Sequence, residues 1–469
     1  MIKSCLHTII LCFAFVGISF GQIDETLTFD AYIDLVKTHH PVASKADIVA
    51  EIGKLKVLQS RGGFDPELYA SANQKEFEGT DYYQHLDGGI KIPTWFGLSF
   101  LGGIEQTDGT FLNPERTLPA NGLTYAGVNL SLGQGLLMDK RRADLRKAQA
   151  AQKMSEEDRQ LILNNLLLNA SKTYYYWQVA QKTVEINEDA LRLAEERFKA
   201  VEQSAEFGDS PYIDTLEAGI QVQNRKLNLQ ESRLQLKNQR ALVSTYLWMD
   251  NVIPVELDDN LAPQSDFPQP METLRNILLQ SNDTTLSDHP SLRKMDFKLD
   301  QLDIERRLRA EQLRPKLDLK YNLLNEPFVN NFGNNYDLNN YNFGVAFSFP
   351  LFLRKERGAL QISKLQIRDV ELDYQYKMQQ LGFQTKRTFN TFKTTTKQLQ
   401  LYQKTVRDLE LLLEGERTKF NGGESSLFLV NSREMNYING RLKLVDLMMK
   451  NSFSVLEISH SLGNLPNEL

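Results

Sequence analysis

His40-Pro41-Val42-Ala43-Ser44-Lys45-Ala46-Asp47 is matched 249 positions later by His289-Pro290-Ser291-Leu292-Arg293-Lys294-Met295-Asp296. The histidine, proline, lysine and aspartate recur at the same places in both octapeptides. A second correspondence, at a spacing of 215, matches Ile213, Ile220, Leu227 and Leu234 with Phe428, Met435, Leu442 and Met449. Internal duplication constrains a fold more than any local motif does. The sequence therefore predicts two similar halves, each with short alternating strands followed by two very long helices.

The first residues are typical of an export signal. Residues 1–21 begin with the positive Lys3, continue with a short apolar run and end with the small-x-small sequence Ser19-Phe20-Gly21. The alternative is a membrane anchor, but the run is shorter than the about 20 residues that a spanning helix needs. We therefore expect residues 1–21 to be a cleaved signal peptide. Since Cys5 and Cys12 are the only cysteines, the mature chain would have no disulfide, thiol nucleophile or thiolate metal site.

Composition and charge exclude some classes of function. The chain holds 54 Lys and Arg against 60 Asp and Glu, a net charge of -6, which argues against a general nucleic-acid-binding protein. After the signal, no stretch reaches the about 18 unbroken apolar residues of a transmembrane helix. An exported chain of this kind is either soluble or crosses a membrane as strands.

Period-two alternation predicts strands in both halves. In the second half the apolar face consists of Phe343, Val345, Phe347 and Phe349, with glycine, alanine and serine between them. Its counterpart in the first half, in phase at a spacing of 217, consists of Ala126, Val128, Leu130 and Leu132. Large apolar residues on one face and small or polar residues on the other suit a wall between lipid and a lumen. The alternative is a sheet packed on a soluble core.

Two long helical hairpins follow these strands. Residues 140–203 contain neither proline nor glycine, and such a helix would be roughly 95 Å long. A turn at Phe207-Gly208-Asp209-Ser210-Pro211 leads into a second helix that ends near Met249. This helix has two apolar seams, which are Ile213, Ile220, Leu227, Leu234 and Ala241, and Thr215, Val222, Leu229, Leu236 and Val243. A helix with one coiled-coil partner needs one seam. Two seams indicate a neighbour on each side, as in a tube, and the alternative is an ordinary buried bundle helix.

The predicted organisation is an internally duplicated α+β chain. Residues 22–250 form the first repeat, with an N-terminal helix over Phe29–Ser60, strands over about 66–132 whose pairing is left open, and a helical hairpin over about 140–249. Residues 251–288 form a linker, or equatorial segment. Residues 289–469 form the second repeat, with a helix, strands over about 316–349 and a helical hairpin over about 355–463.

The number of strands predicts an assembly of several chains. Each half would supply about two spanning strands, and four strands cannot close a barrel. An open sheet edge in lipid would leave backbone groups without hydrogen-bond partners. If the strands cross a membrane, several copies must pool them, so the sequence predicts a homo-oligomer.

Short stretches of the chain resemble motifs of a known family. Ser131-Leu132-Gly133-Gln134-Gly135-Leu136-Leu137 and Phe349-Pro350-Leu351-Phe352 resemble its strand-to-helix passages, although the first lacks the expected proline. Lys419-Phe420-Asn421-Gly422-Gly423 resembles the Arg-Tyr-x-x-Gly sequence at its hairpin tip, and Ile213-Asp214-Thr215-Leu216-Glu217-Ala218 resembles the segment after a tip. With their order and duplication, these stretches resemble the outer-membrane efflux protein (TolC) family over nearly all of the mature chain.

The resemblance implies a fold and a function. The fold would be a homotrimer, with transmembrane strands in a shared twelve-stranded β-barrel in outer-membrane lipid and a periplasmic α-barrel of helical hairpins. The function would be a passive duct for small toxic compounds or secreted proteins, driven by an inner-membrane transporter through a periplasmic adaptor protein. Such a protein is not an enzyme and needs no cofactor, and no catalytic constellation stands out in the sequence. The alternative is a periplasmic or secreted coiled-coil scaffold without channel activity.

Two candidate sites lie at the predicted hairpin tips. Asp209, Asp214 and Glu217 form a candidate acidic constriction of the tunnel, because like charges around a symmetric ring attract cations. The alternative is a solvated helix end, whose dipole suits acidic residues. The family's acidic residues after the second tip are replaced by Leu429 and Ser432, so the carboxylates would come from the first hairpin alone. The candidate adaptor contacts are Gly208, Ser210, Lys419, Phe420, Gly422, Gly423 and Ser425, for which the alternative is simple turn chemistry.

Two further features have structural interpretations. His39-His40 and His289 could suggest a metal site, but no second cluster of ligands supports them, and a role at helix ends is preferred. The aromatic residues from Tyr174 to Trp177 are interpreted as packing between helices and not as a ligand platform.

Overall fold

The computed structural model of the chain describes residues 26–209, 211–268, 286–326 and 336–469. The predicted signal peptide over residues 1–21 and the candidate adaptor contact Ser210 lie outside the described residues. The longer helices are α1 (Phe29–His39), α2 (Pro41–Arg61), α3 (Lys140–Glu206), α4 (Tyr212–Ser244), α5 (Pro290–Glu311), α6 (Arg354–Asn421) and α7 (Leu427–Ser461), and a short α8 (Leu465–Glu468) follows. The two predicted hairpins are α3–α4 and α6–α7.

Within the described ranges, no helix combines the length and the apolar character that a bilayer span requires.

The duplicated His-Pro pair begins a helix in each half. His40 Nδ1 accepts a hydrogen bond from the Val42 backbone N–H at 3.1 Å, and His289 Nδ1 accepts one from the Ser291 N–H at the same distance. The single helix expected over Phe29–Ser60 is therefore wrong, because the chain is extended at His40 and a new helix starts at the following proline.

The helix-end role of these histidines agrees with the preferred interpretation. Burial, with smaller contributions from the neighbouring Lys377 and His460, lowers the pKa of His289 to about 4. The ring is thus neutral and can accept the hydrogen bond that begins α5. Among the described residues, no group of histidine, cysteine, aspartate or glutamate side chains could hold a metal ion.

The strands are β1 (Thr26–Leu27), β2 (Glu67–Phe77), β3 (Thr80–Pro93), β4 (Leu98–Asp108), β5 (Leu123–Gly133), β6 (Trp248–Met249), β7 (Ile253–Pro254), β8 (Ala262–Pro263), β9 (Lys316–Asn325) and β10 (Tyr341–Ser348). Six of them form one antiparallel sheet in the order β10-β9-β5-β4-β3-β2. The expectation of two strands per half is correct for the second half and wrong for the first. There, β3 and β4 are inserted between β2 and β5, which are the counterparts of β9 and β10.

The two faces of this sheet differ in chemistry. One face is apolar and exposed, and its large side chains include Leu68, Leu86, Ile92, Phe100, Ile104, Phe343, Val345 and Phe347. The opposite face is polar and internally hydrogen-bonded. On it His85 Nε2 lies 2.7 Å from Glu105 Oε1, and Ser131 Oγ donates to Asp318 Oδ1 at 2.6 Å. An exposed apolar face backed by a polar one is the pattern of a strand wall with lipid outside and water inside.

The largest buried cluster lies midway along the first hairpin. Tyr174, Tyr175 and Trp177 of α3 have no exposed surface. The Tyr174 hydroxyl donates to the Leu27 carbonyl at 2.6 Å, and Phe267 of the linker stacks on Tyr175 with ring centroids 6.1 Å apart. The linker and the N-terminal segment therefore pack on the hairpins here. Tyr174, Tyr175 and Trp177 have the packing role that was predicted, whereas Tyr176 is 41% exposed.

The two apolar seams of α4 have different surroundings. Leu229 and Val243 of one seam are buried within the chain. The other seam is more than half exposed at each of Ile213, Ile220, Leu227 and Leu234. One of the two neighbours predicted for α4 is thus in the same chain. The described residues of the chain leave the second seam largely uncovered.

Candidate functional site at the hairpin tips

Both helical hairpins turn through the same backbone structure. At the first tip, the Gly208 N–H donates to the Ala205 carbonyl at 3.1 Å and the Asp209 N–H donates to the Ser204 carbonyl at 2.9 Å. At the second tip, the Gly423 N–H donates to the Phe420 carbonyl at 3.0 Å and the Glu424 N–H donates to the Lys419 carbonyl at 2.9 Å. The four donors and acceptors correspond at the repeat spacing of 215. This pair of hydrogen bonds ends a helix and requires a left-handed residue at the glycine.

The tip glycines are explained by backbone conformation and not by crowding. Gly208 has φ +82° and Gly423 has φ +77°, values that other residues rarely adopt. A Cβ atom at either position would have no other atom within 4 Å. The turn chemistry therefore accounts for both glycines within one chain, and the space beside them is open to a partner.

The three acidic residues of the candidate constriction have unequal surroundings. Asp209 is exposed in the turn, and Asp214 is half-buried in the first turn of α4. Glu217 is also half-buried, and its Oε1 accepts a hydrogen bond from Asn431 Nδ2 at 2.8 Å. Glu217 therefore joins the two hairpins, while Asp209 is the most exposed of the three carboxylates.

The candidate adaptor contacts divide into outward and inward residues. Lys419, Gly422 and Gly423 are exposed. Phe420 is half-buried and packs with Val201, Ala218 and Leu427, which belong to both hairpins. The Ser425 hydroxyl donates to Glu416 Oε1 at 2.5 Å within the second hairpin. Phe420 and Ser425 thus have contacts inside the chain that the sequence did not indicate.

Exposed apolar side chains surround both tips. Phe207 is 82% exposed and Tyr212 is 74% exposed beside the first turn, and Phe428 is 69% exposed beside the second. Large apolar groups exposed beside functional surfaces are typical of sites of protein–protein contact. They provide an apolar surface next to the small residues of the turns.

A buried ionic network lies above the tips and contains one charged residue from each long helix. We name it the tip network: Arg197 of α3, Arg225 of α4, Arg417 of α6 and Glu434 of α7. The Glu434 carboxylate is 3% exposed and accepts hydrogen bonds from Arg197 and, at 3.1 Å, from Arg417. Arg225 Nη2 lies 3.9 Å from the other carboxylate oxygen.

Hydrogen bonds extend the tip network to the first hairpin's acidic residues. Arg197 Nη1 donates to Asn431 Oδ1 at 2.5 Å, and Asn431 in turn donates to Glu217. Burial lowers the pKa of the Arg197 guanidinium, although the Glu434 carboxylate opposes this effect. Three arginines and one buried carboxylate hold the four helices together at this level, and losing the single carboxylate would leave them uncompensated.

The tip network could hardly be recognised from the sequence alone. Its members are spread from Arg197 to Glu434, and each looks like an ordinary surface charge on a long helix. The usable signal is that Glu434 stands between Val430 and Ile438 on the buried face of α7, where an unpaired carboxylate would be costly.

Comparison with known proteins places this arrangement in a family. Residues 108–247 and 283–447, about two thirds of the chain, match the model of the outer membrane efflux protein family. The chain belongs to the outer membrane efflux protein family. This membership confirms the resemblance noted in the sequence, and it assigns the chain to the outer-membrane efflux channels. A comparison with curated proteins gave no match.

Solved structures show that this outer membrane efflux protein shares its fold with other channels. The outer membrane channel CmeC of Campylobacter jejuni is 15% identical, with 93% of this chain and 85% of that chain covered and a TM-score of 0.64. The outer membrane protein VceC of Vibrio cholerae is 14% identical, with coverages of 92% and 95% and a TM-score of 0.63. The open state of the MtrE outer membrane channel of Neisseria gonorrhoeae is 14% identical, with coverages of 92% and 88% and a TM-score of 0.64.

Proposed function

We propose that three copies of this chain form a passive duct, with the sheet in the outer membrane and the helical hairpins in the periplasm. An inner-membrane transporter would drive export through the duct, and a periplasmic adaptor protein would contact the hairpin tips. The cargo would be small toxic compounds or secreted proteins. The observation that carries this proposal is the six-stranded sheet, which has an exposed apolar face, a polar opposite face and two unpaired edges.

The sheet favours a duct over a scaffold. A scaffold's soluble sheet would bury its apolar face against helices, but here Phe343, Val345 and Phe347 are each more than half exposed. In lipid this exposure stabilises the protein at about 25 cal/mol per Å² of apolar surface removed from water. The open edges require pairing, because lipid offers no hydrogen bonds to them.

The helices favour an assembly of several copies. The seam at Ile213, Ile220, Leu227 and Leu234 is exposed in a single chain. A second copy placed beside α4 would cover it, as expected for helices arranged side by side into a tube. The duplication supports the same arrangement, since both hairpins have the lengths and turns needed for one wall.

The tips carry the proposed gate and the proposed adaptor surface. Asp209 and Asp214, with Glu217 behind them, would form the acidic constriction. Lys419, Gly422 and Gly423, with the exposed Phe207 and Phe428, would contact the adaptor. Asp214→Asn should reduce the cation selectivity of single channels more than Glu217→Gln, because Glu217 already accepts a hydrogen bond from Asn431. Unchanged selectivity in the double variant would exclude the acidic constriction.

Fractionation tests the duct against the scaffold. We expect the protein to remain in outer membranes after mild lysis and to run as a trimer in detergent. A cysteine at Lys419, which is exposed at the second tip, should crosslink to a periplasmic protein in intact cells. A matched cysteine at Lys364, on α6 and far from the tip in sequence, serves as the control. Release of the whole protein without detergent would favour the scaffold.

A further inference from the structure

We propose that the contact between the two repeats inside one chain is repeated between neighbouring chains, so that β10 of one copy pairs with β2 of the next. Each copy then adds six strands to the barrel, which would have eighteen strands in a trimer. This inference rests on the proposed trimeric duct and defines how its copies join. It replaces the twelve-stranded barrel that the family resemblance implied.

The pairing of β5 with β9, which joins the two repeats inside one chain, is the template for this contact between copies. We name it the internal junction. β5 ends the first repeat's strands and β9 begins the second repeat's, and they pair with Ser131 opposite Asp318 and Leu130 opposite Leu319. The counterpart of β5 is β10, at a spacing of 217, and the counterpart of β9 is β2, at a spacing of 249. β10 and β2 are the two edges of the sheet. β5 and β9 pair with each other through one edge each. The corresponding edges of β10 and β2 are the free edges of the sheet.

The template fixes a register between copies. In each β5–β9 pair, we replace the β5 residue by the β10 residue 217 positions later and the β9 residue by the β2 residue 249 positions earlier. This places Ser348 opposite Tyr69, Ala346 opposite Ser71 and Val345 opposite Ala72 of the neighbour. The strands are antiparallel in this arrangement, as the alternation along the sheet requires. The register covers all of β10 and nearly all of β2.

Side-chain chemistry agrees with this register. On the apolar face, Phe347 and Val345 lie opposite Ala70 and Ala72, so large groups lie beside small ones. On the polar face, Ala346 lies opposite Ser71. Farther along the strands, Phe343 and Tyr341 lie opposite Gln74 and Glu76. A slip by one residue would place Val345 opposite Ser71 or Asn73, on the polar face of β2.

The helices give an independent observation. In the internal junction, Lys294 Nζ of α5 lies 2.5 Å from Asp158 Oδ1 of α3. The repeat counterparts of this pair are Lys45 of α2 and Asp373 of α6, which keep both charges. Both are exposed, and neither has an ion-pair partner among the described residues. Transfer of the template places Lys45 against Asp373 of the neighbouring copy.

Apolar packing at the same helices follows the template as well. Ile304 of α5 packs against Ala143 of α3 and against Met138, which precedes α3. Its counterpart Leu55 on α2 is 53% exposed, and the counterpart of Ala143 is Gly358 of α6, beside which a Cβ atom would meet nothing within 4 Å. These surfaces of α2 and α6 fit a second copy of the chain, because the corresponding surfaces of α5 and α3 already contact one another inside the chain.

The inserted strands have a consequence for the pore. The diameter of a barrel grows roughly linearly with its number of strands, so eighteen strands give a barrel about half again as wide as twelve. Polar side chains of β3 and β4, including His85 and Glu105, then line the wider lumen.

Disulfide crosslinking tests the register. Ser71→Cys with Ala346→Cys tests the polar face, and Ala72→Cys with Val345→Cys tests the apolar face. Opposite residues of antiparallel strands have Cα atoms about 4.5–5.5 Å apart, within the range of a disulfide. We expect at least one of the two pairs to give a covalent trimer on a non-reducing denaturing gel. The single-cysteine variants should give none.

Two control pairs separate the alternatives. Ser71→Cys with Ser348→Cys lies on the same face but two residues out of register, and it should not crosslink. Glu105 of β4 lies on the same rung as Ser71, through Asp87 of β3. Crosslinking of Glu105→Cys with Ala346→Cys would mean that β4 closes a twelve-stranded barrel without β2 and β3, and would overturn the inference.

Other outcomes also decide the question. A trimer in detergent in which neither β2–β10 pair crosslinks overturns the inference and leaves the proposed duct standing. Absence of any trimer for the wild-type protein overturns the proposed duct itself. Reversal of one charge, Lys45→Glu or Asp373→Lys, should lower the temperature at which the trimer dissociates, and the double variant should recover it. Equal effects of the single and double variants contradict the helix contact.

Discussion

Arg197 of α3 donates a hydrogen bond to the buried carboxylate of Glu434 of α7, and this ion pair ties the two helical hairpins together above their tips. Arg417 of α6 shares the same carboxylate oxygen. The one negative charge of the tip network therefore controls contacts between all the long helices. Because Asn431 links the network to Glu217 of the candidate gate, we expect the network to determine how firmly the tips are held.

Replacing Glu434 with alanine should loosen the tips. Removing one partner of a buried ion pair costs about 3–5 kcal/mol, because the remaining charges lack compensation. We expect Glu434→Ala to raise single-channel conductance and the entry of large polar antibiotics, with a smaller effect for Glu434→Gln. Glu424→Gln, on the exposed second tip, is the matched control. Wild-type conductance in Glu434→Ala would show that the network does not restrain the tips.

The apolar face of the sheet should not tolerate charge. Val345 and Ala346 are adjacent in the middle of β10 but lie on opposite faces. A lysine on the lipid face of a membrane strand costs about 2–4 kcal/mol near the midplane, whereas the lumen face is solvated. We expect Val345→Lys to reduce the amount of trimer in outer membranes strongly and Ala346→Lys to reduce it little. Equal amounts of both variants would contradict the assigned faces.

Variants of Gly423 at the second tip distinguish a role in the turn from a role in partner contact. Gly423 has φ +77°, which asparagine adopts more readily than other residues with a side chain. Gly423→Asn should therefore keep a folded trimer, while Gly423→Val should lower its thermal stability.

Efflux in the same variants tests the adaptor contact. If the adaptor packs closely on the tip, Gly423→Asn should lose efflux although it folds. Gly208→Asn is the matched change at the first tip. Full efflux in Gly423→Asn would mean that the glycine serves the turn alone.

The stability of the trimer should fall in mild acid because of His289. Its folded pKa of about 4 is below the unfolded value of about 6.5, so the stabilisation is complete above pH 6.5 and declines as the pH falls toward 4. The loss approaches roughly 3 kcal/mol per chain when the histidine is protonated in the unfolded state. His289→Asn keeps a helix-capping acceptor without a titrating ring. Thermal melting between pH 4.5 and 7.5 should show a weaker pH dependence in this variant. An unchanged pH dependence would contradict the assignment to His289.

The sequence predicted the parts of the fold that repeat. The alternation around Phe343 and Phe347 predicts β10, because period two leaves one face apolar. The absence of proline and glycine predicts α3, and the absence of proline predicts α6, whose glycines Gly358, Gly382 and Gly415 are isolated. The pairing of β3 and β4 could not be predicted, since these strands have no counterpart in the second half. Their glycines also interrupt the alternation, and Gly103 is one that leaves room for the Tyr125 hydroxyl, which a Cβ atom there would meet at 2.6 Å.

The candidate site was predicted less well than the fold. Glycines with positive φ can be located from the repeated turn sequence, as Gly208 and Gly423 show. The tip network could not, because its contacts join α3, α4, α6 and α7 and depend on how the hairpins pack. Phe420 resembled a family motif at the tip, yet its packing against Leu427 is a contact within the chain.

Single-channel recording in planar lipid bilayers tests the central claim most directly. Purified protein, extracted from outer membranes as a trimer, should produce discrete conductance steps, and the Glu434→Ala variant should produce larger ones under the same conditions. A purified trimer that never conducts in either form would contradict the duct and favour a scaffold.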